Sequence, residues 1–197
     1  IGGCCGTTPE HIRVMIQGVQ SRQLQRPVPT DKTIVSSYGK AVLLGQKPMI
    51  IGERINPTGK KKFKQALKEH DMDYILKEGI TQQDRGAHIL DVNVGLPDID
   101  EVAMMKEVIT ELQSVTSLPL QIDTVDIKAM EAAMRIYNGK PMVNSVNGKQ
   151  ESMDQVCPLI QKYGGVVIEL TIDEEGIPNT AEGRIKIAGK IIKEAEK

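Results

Sequence analysis

The sequence predicts an α/β protein built on a parallel sheet, and three observations carry that expectation. From about position 48 onward, short aliphatic runs alternate with stretches of helical periodicity about five times, at roughly 30 residues per unit, the spacing of right-handed βαβ crossovers. The runs are apolar along their length, as strands covered on both faces are. Each closes on Asp, Asn or Glu, at the strand ends where ligands lie in parallel α/β folds. Sequential units of this kind leave two architectures open, a (β/α)8 barrel and a doubly wound sheet. A full barrel takes about 250 residues, so this chain holds about five of the eight units.

The elements follow in order. Residues 1–8, IGGCCGTT, are turn-rich. Pro9 and Glu10 open a helix reaching to Ser21, with Ile12, Met15, Ile16 and Val19 on one face. Between 22 and 47 the periodicity lapses; Pro27 and Pro29 bracket an extended stretch, and 33–37 has the composition of a short strand. This segment is expected to connect two domains. PMIIGE (48–53) reads as the first buried strand, followed by a loop holding Gly59 and helical segments between about 61 and 85. HILDVNV (88–94) is the second strand, and 100–115 a helix aligning Val102, Met105, Ile109 and Leu112. LPLQIDT (118–124) is the third strand. Asp126 caps the next helix, striped by Ile127, Met130, Met134 and Tyr137 and stopped at Gly139. PMVNSV (141–146) is the fourth strand, with a helix over 151–163 after it. Residues 165–172 form the fifth, and Thr180 opens a last helix carrying Ile185, Ala188, Ile192 and Ala195.

Composition narrows the function. Charged residues make up 26% and the net charge is -1, a balance that favours neither nucleic acid nor an acidic membrane surface. Without Trp, and with Phe63 and four Tyr as the whole aromatic content, platforms for base stacking are not expected. No apolar stretch approaches the roughly 18 residues of a membrane-spanning helix, and no basic-then-apolar leader opens the chain, so a cytoplasmic location is expected. A chain that starts at Ile1 and runs straight into Gly-Cys-Cys-Gly is expected to be a piece of something longer. Cys4, Cys5 and Cys157 do not make a disulfide framework, and reduced thiols are expected.

The strand ends collect acceptors and amides. Glu53 and Asn56 follow the first strand, Asp91 and Asn93 end the second, Asp123 ends the third, Asn144 and Asn147 the fourth, and Thr171 and Asp173 the fifth. Such a set, without His, suits a heterocycle with a donor-rich edge better than a metal. A carboxylate accepts two parallel N–H bonds from a guanidine-like ring edge, and an Asn amide both gives and takes. Any one of these residues also serves as a turn former or helix cap, the use expected of Asp98 and Asp126. The lysine run 60–62 reads as a solvated helix face. Two thiolates alone, Cys4 and Cys5, fall short of the three or four ligands zinc takes, and no other Cys or His nearby has matching spacing.

Taken together, GGCCGTTPEHIR (2–13), IGERINPTGKKKF (51–63), ILDVNVGLPDIDE (89–101), LPLQIDT (118–124), GKPMVNSVNG (139–148) and DEEGIPNTAEGR (173–184) resemble the cobalamin-dependent methionine synthases. The resemblance covers nearly the whole chain. It implies that 1–22 is the end of a homocysteine- and zinc-binding domain, 23–47 the interdomain connector, and 48–197 the first part of a pterin-binding domain, a partial (β/α)8 barrel of about five units. Cys4 and Cys5 are then two of three thiolates on a zinc that activates homocysteine. Asp123 takes the pyrimidine edge of 5-methyltetrahydrofolate and Asn144 lies near its methyl-bearing N5, the two that carry the methyl-transfer chemistry. Gly59, Lys60 and Lys61 border the folate, Asp91 and Asn93 line the same mouth, and Glu53 and Asn56 join the set. Cobalamin is expected on a domain outside this chain. A corrinoid-protein methyltransferase and a dihydropteroate synthase share the pterin barrel and are the alternatives, which the Cys-Cys segment disfavours; a non-catalytic partial barrel is a further one. The resemblance also implies a pterin carboxylate beyond Lys197 and a third zinc ligand before Ile1. The chain alone is therefore expected to be a poor catalyst that self-associates through its unpaired edges.

Overall fold

The computed structural model describes residues 2–23 and 31–197, so the expected extended stretch around Pro27 and Pro29 lies outside the described residues. The chain divides into two compact units, Ile1–Asp31 and Lys32–Lys197. The first holds helix α1 (Pro9–Val19), whose start is fixed by Thr8 and His11. The Thr8 hydroxyl accepts from the His11 amide and the His11 ring accepts from the Thr8 amide, a reciprocal cap that occupies His11.

The second unit contains the barrel segment. Strands β3 (Ile51–Ile55), β4 (Ile89–Val92), β5 (Leu120–Asp123), β6 (Met142–Asn147) and β7 (Val166–Leu170) form one parallel sheet in chain order. Helices α2 (Lys61–Glu69), α3 (Met72–Asp84), α4 (Glu101–Val115), α5 (Ile127–Ile136), α6 (Gln150–Tyr163) and α7 (Ala181–Ala195) alternate with them. This is the partial (β/α)8 barrel expected from the resemblance. The observed strands lie within or slightly shifted from the expected ones, the largest shift being β3, which begins three residues later than Pro48 because that proline and the residues after it lead into the sheet.

Helix starts obey local chemistry. Asp71, Asp100, Asp126 and Thr180 each accept a backbone N–H from the first turn of the helix they precede. Asp98 does not. It pairs with Lys68 Nζ at 2.7 Å, and Asp100, two residues nearer the apolar stripe of α4, takes the capping position.

Two cores follow from the layering. Between sheet and helices lie Leu90, Val92, Leu120, Ile122 and Val143 with α4 residues such as Met105 and Ile109, all buried. Full burial of one such side chain contributes about 1.5–3 kcal/mol. Inside the barrel, Ile89 and Met142 bury against Val35 and Val42, which come from an antiparallel hairpin of β1 (Ile34–Ser36) and β2 (Ala41–Leu43). Only its first strand was foreshadowed, within the stretch expected as connector, and the hairpin packs with the compact unit that begins at Lys32. It sits at the amino-terminal ends of the strands. Ser36 pairs with Lys140 ahead of β6, Ser37 Oγ donates to the Ser117 carbonyl ahead of β5, and the Tyr137 hydroxyl donates to Ser36 O while accepting from Leu120 N. No helix among the described residues is long and apolar enough to cross a membrane.

Candidate functional site

With the hairpin at the opposite end, the carboxyl ends of the strands are free to form a site. Parallel pairing sets Asp123 of β5 directly beside Asn144 of β6. Asn93, two residues after Asp91 and on the same strand face, reaches across from the end of β4, and its Nδ2 donates to Asp123 Oδ2 at 3.0 Å. Asn93 Oδ1 accepts from Gly95 N at 2.9 Å, which fixes the side-chain amide with its donor end toward Asp123. A carboxylate so held keeps capacity for further N–H donors. Asn93 and Asp123 open into a cavity of about 400 Å³ that Thr58, Leu96 and Val125 also line.

Below this trio lies a second polar layer. Asp91 is 2% exposed, in register with Gln121 of β5, whose Nε2 donates to Asp91 Oδ1. Burial pushes the Asp91 carboxyl up to about 7; the neighbouring charge of Asp123 adds to the rise, and the Gln121 hydrogen bond opposes it. Asp123 is also raised by burial, against the pull of Asn93. Asn56, buried after β3, donates weakly to Glu53 Oε1 at 3.5 Å and accepts from Thr58 N at 2.9 Å.

The remaining expected residues are placed differently. Lys60 Nζ donates to the Glu53 backbone carbonyl at 2.9 Å, Lys61 begins α2 with its side chain exposed, and Gly59 adopts φ 72° in the turn before it. None of the three lines the cavity that holds Asn93 and Asp123. Asn147 and Asp173 act in turns, accepting from Lys149 N and Glu175 N. Two residues went unforeseen. Gln121 shares the face of Asp123 by the two-residue period of a strand, a signal present in LPLQIDT. Glu101, in the first turn of α4, accepts from the Thr124 hydroxyl, which itself accepts from Asp126 N, so the loop after β5 is tied to α4. In the first unit, the Cys4 and Cys5 sulfurs are exposed and 3.7 Å apart, and the Cys5 N–H and thiol hold the Cys4 thiol below its usual range.

Comparison with known proteins decides the family. The model of a family described as pterin binding enzyme matches residues 52–195. The chain belongs to the pterin-binding enzyme family. Among curated relatives of this pterin-binding chain are the methionine synthases of Mycobacterium leprae, 35% identical over 98% of the chain, and Mycobacterium tuberculosis, 34% identical over 98%. The chain spans 17% of the length of each. The crystal structure of 7,8-dihydropteroate synthase from Vibrio fischeri superposes with a TM-score of 0.58 at 16% identity, covering 83% of this chain and 61% of that one, a likeness of fold.

The raised Asp91 makes stability depend on pH in a definite sense. A carboxyl with an unfolded value of 3.8 and a folded value of about 7 binds its proton more tightly when folded, so stability falls as pH rises through that window. The full gap corresponds to about 4 kcal/mol, and solvent screening at the open side of the barrel reduces the expected fall to about 2 kcal/mol. Urea denaturation of Asp91→Asn is expected to lack this component, with the variant more stable than wild type at pH 8 and matched to it at pH 4. Equal slopes in both proteins count against a buried, proton-holding Asp91.

Proposed function

We propose that the chain is the pterin-binding portion of a methyltransferase that moves the methyl group of 5-methyltetrahydrofolate to cobalamin and on to homocysteine, giving methionine. The observation that carries this reading is the Asn93–Asp123 hydrogen bond at the mouth of a pterin-family barrel, with Asn144 in register beside Asp123 on the next strand. The likeness to methionine synthases over 98% of this chain, which spans 17% of their length, supports the choice of reaction. In this reading Asp123 accepts from the donor edge of the pterin, Asn144 stands near N5, and Glu53, Asn56, Asp91 and Asn93 complete the polar wall. Gly59, Lys60 and Lys61 form the outer border that the ligand passes.

Demethylation leaves an amine at N5, whose departure as an anion is costly, so N5 must be protonated at or before transfer. The Asn144 amide can accept from a protonated N5 without an opposing full charge, and the fixed strand pairing holds it in place. Cobalamin supplies the nucleophile when bound, on another part of the parent protein.

The proposed domain division places 1–22 at the end of a homocysteine- and zinc-binding domain, 23–47 as a connector whose hairpin packs with the barrel unit, and 48–197 in the pterin domain. Two thiolates on one tetrahedral zinc stand about 3.8 Å apart, given a Zn–S distance of about 2.3 Å. The Cys4–Cys5 separation of 3.7 Å fits that spacing. Among the described residues no group of three or more His, Cys, Asp or Glu is placed to hold a metal, so Cys4 and Cys5 would hold zinc together with a donor from elsewhere. The zinc would lower the pKa of the homocysteine thiol. Partners are therefore folate, homocysteine and a cobalamin-binding domain, and the expected setting is cytoplasmic.

Calorimetric titration of 5-methyltetrahydrofolate into the chain tests the reading. Saturable one-to-one binding supports it, and the absence of binding sinks it. Strands β3 and β7 are edges of the sheet, and self-association of the isolated chain is proposed from them. A monodisperse monomer in sizing chromatography at micromolar concentration overturns that part.

A further inference from the structure

Gln121 has no task in the reading above, yet its placement is specific. The side chain is 6% exposed, its Nε2 donates to Asp91 Oδ1, and its Oε1 is buried with no partner among the described residues. Burying an amide with one end unmet is unfavourable, and an apolar side chain of equal length would fill the same space without that burden. The side chain is thus oriented for Asp91.

The surroundings of Asp91 show what that orientation does. Glu53 from β3 and Asp123 from β5 face it with like charge, and the amides of Gln121 and Asn56 are the groups that stabilise its ionised form. On the hairpin side lie the apolar side chains Val35, Val42, Ile89 and Met142. Desolvation and two carboxylates therefore drive a proton onto Asp91, and the Gln121 N–H pulls the other way, leaving the group near the middle of the physiological range.

We propose that Gln121 is a positioning residue of the pterin pocket: buried in register with Asp91 and with its Oε1 unpartnered, it holds its Nε2 donor on the Asp91 carboxyl and makes ligand capture proton-linked. The consequence for capture rests on the pterin reading, because a neutral ring closing the mouth buries Asp91 further and draws a proton onto it. The link between Gln121 and Asp91 does not rest on it.

The ligand-free wild-type chain gives the first test. With Asp91 followed by its side-chain carboxyl carbon resonance, assigned through Asp91→Asn, the Gln121 side-chain amide resonances are expected to titrate with the same midpoint. An amide that ignores the Asp91 titration overturns the proposal, and this measurement needs no variant at position 121. In Gln121→Met, which keeps length and removes the donor, the Asp91 midpoint is expected to rise by at least about half a unit. An unchanged or lower midpoint overturns it as well. Calorimetry with 5-methyltetrahydrofolate at pH 7.5, in two buffers of different ionisation enthalpy, is expected to show proton uptake by wild type and less by Gln121→Met, in which a larger fraction of Asp91 already carries the proton. Binding without proton uptake overturns the capture step. A chain that binds no folate sinks the pterin reading, while the ligand-free titrations still decide the role of Gln121.

Discussion

Replacing Asp123 by alanine is expected to weaken 5-methyltetrahydrofolate binding by about 100-fold, read as a rise in Kd by calorimetry at pH 7. A hydrogen bond to a charged group contributes about 1.5–3 kcal/mol, and 1.4 kcal/mol is about tenfold in affinity. Asp123 is half-buried and oriented by Asn93, so its carboxylate meets a ligand without first losing much freedom. The substitution also strands the Asn93 donor and removes a like charge from Asp91, whose carboxyl then ionises more easily. Asp123→Asn preserves shape and one acceptor, and is expected to cost about tenfold. A change below about threefold in Asp123→Ala would place the ligand elsewhere.

The second large effect lies at the opposite end of the barrel. Gly139→Ala is expected to destabilise the folded chain by about 2–6 kcal/mol in urea denaturation. Gly139 has φ 151°, a conformation L residues avoid at a cost of about 1–3 kcal/mol. A Cβ there would also overlap the Ser36 carbonyl oxygen and stand 2.9 Å from its carbon and 3.0 Å from Ser37 Cα. These are backbone atoms, held by Lys140 N and the Tyr137 hydroxyl, so they cannot yield as a flexible side chain would. Forced displacement of such packing adds about 1–3 kcal/mol. Gly86→Ala is the control: it shares a positive φ of 87° but meets nothing within 4 Å, and it should lose only about 1–2 kcal/mol. Equal losses in the two variants would show that the approach to Ser36 is not what the hairpin depends on.

Much of the fold was legible because its signals are local. Aliphatic runs followed by capped amphipathic stretches marked the five barrel strands and their helices, and Asp126 and Thr180 cap as their positions require. Hairpin strand β2 was not foreseen. Ala41–Leu43 is three residues long and is held by contacts with Ile89 and Met142, which no local pattern announces. The expectation of Asp98 as a cap failed for a related reason, since Asp98 pairs with Lys68, which the fold brings to it from α2. At the site, strand ends were readable as polar positions, whereas pairing was not. That Asn93 turns to Asp123, and Gln121 to Asp91, depends on the register of neighbouring strands, and register is a property of the assembled sheet.

Register and order also bear on how the chain reaches this state. Neighbouring barrel strands follow one another in sequence, so pairing each new strand closes a loop of only a few dozen residues. Such short closures lose less chain entropy than pairing of strands far apart in sequence would. The hairpin is the exception. It is made early, from residues 34–43, yet the Lys140 amide that donates to Ser36 lies 104 residues later and the Tyr137 hydroxyl that donates to it 101 residues later. The hairpin's contacts with Tyr137 and Lys140 therefore form only once the chain has reached β6, whereas Val35 already faces Val42 within the hairpin and meets Ile89 of β4 before that.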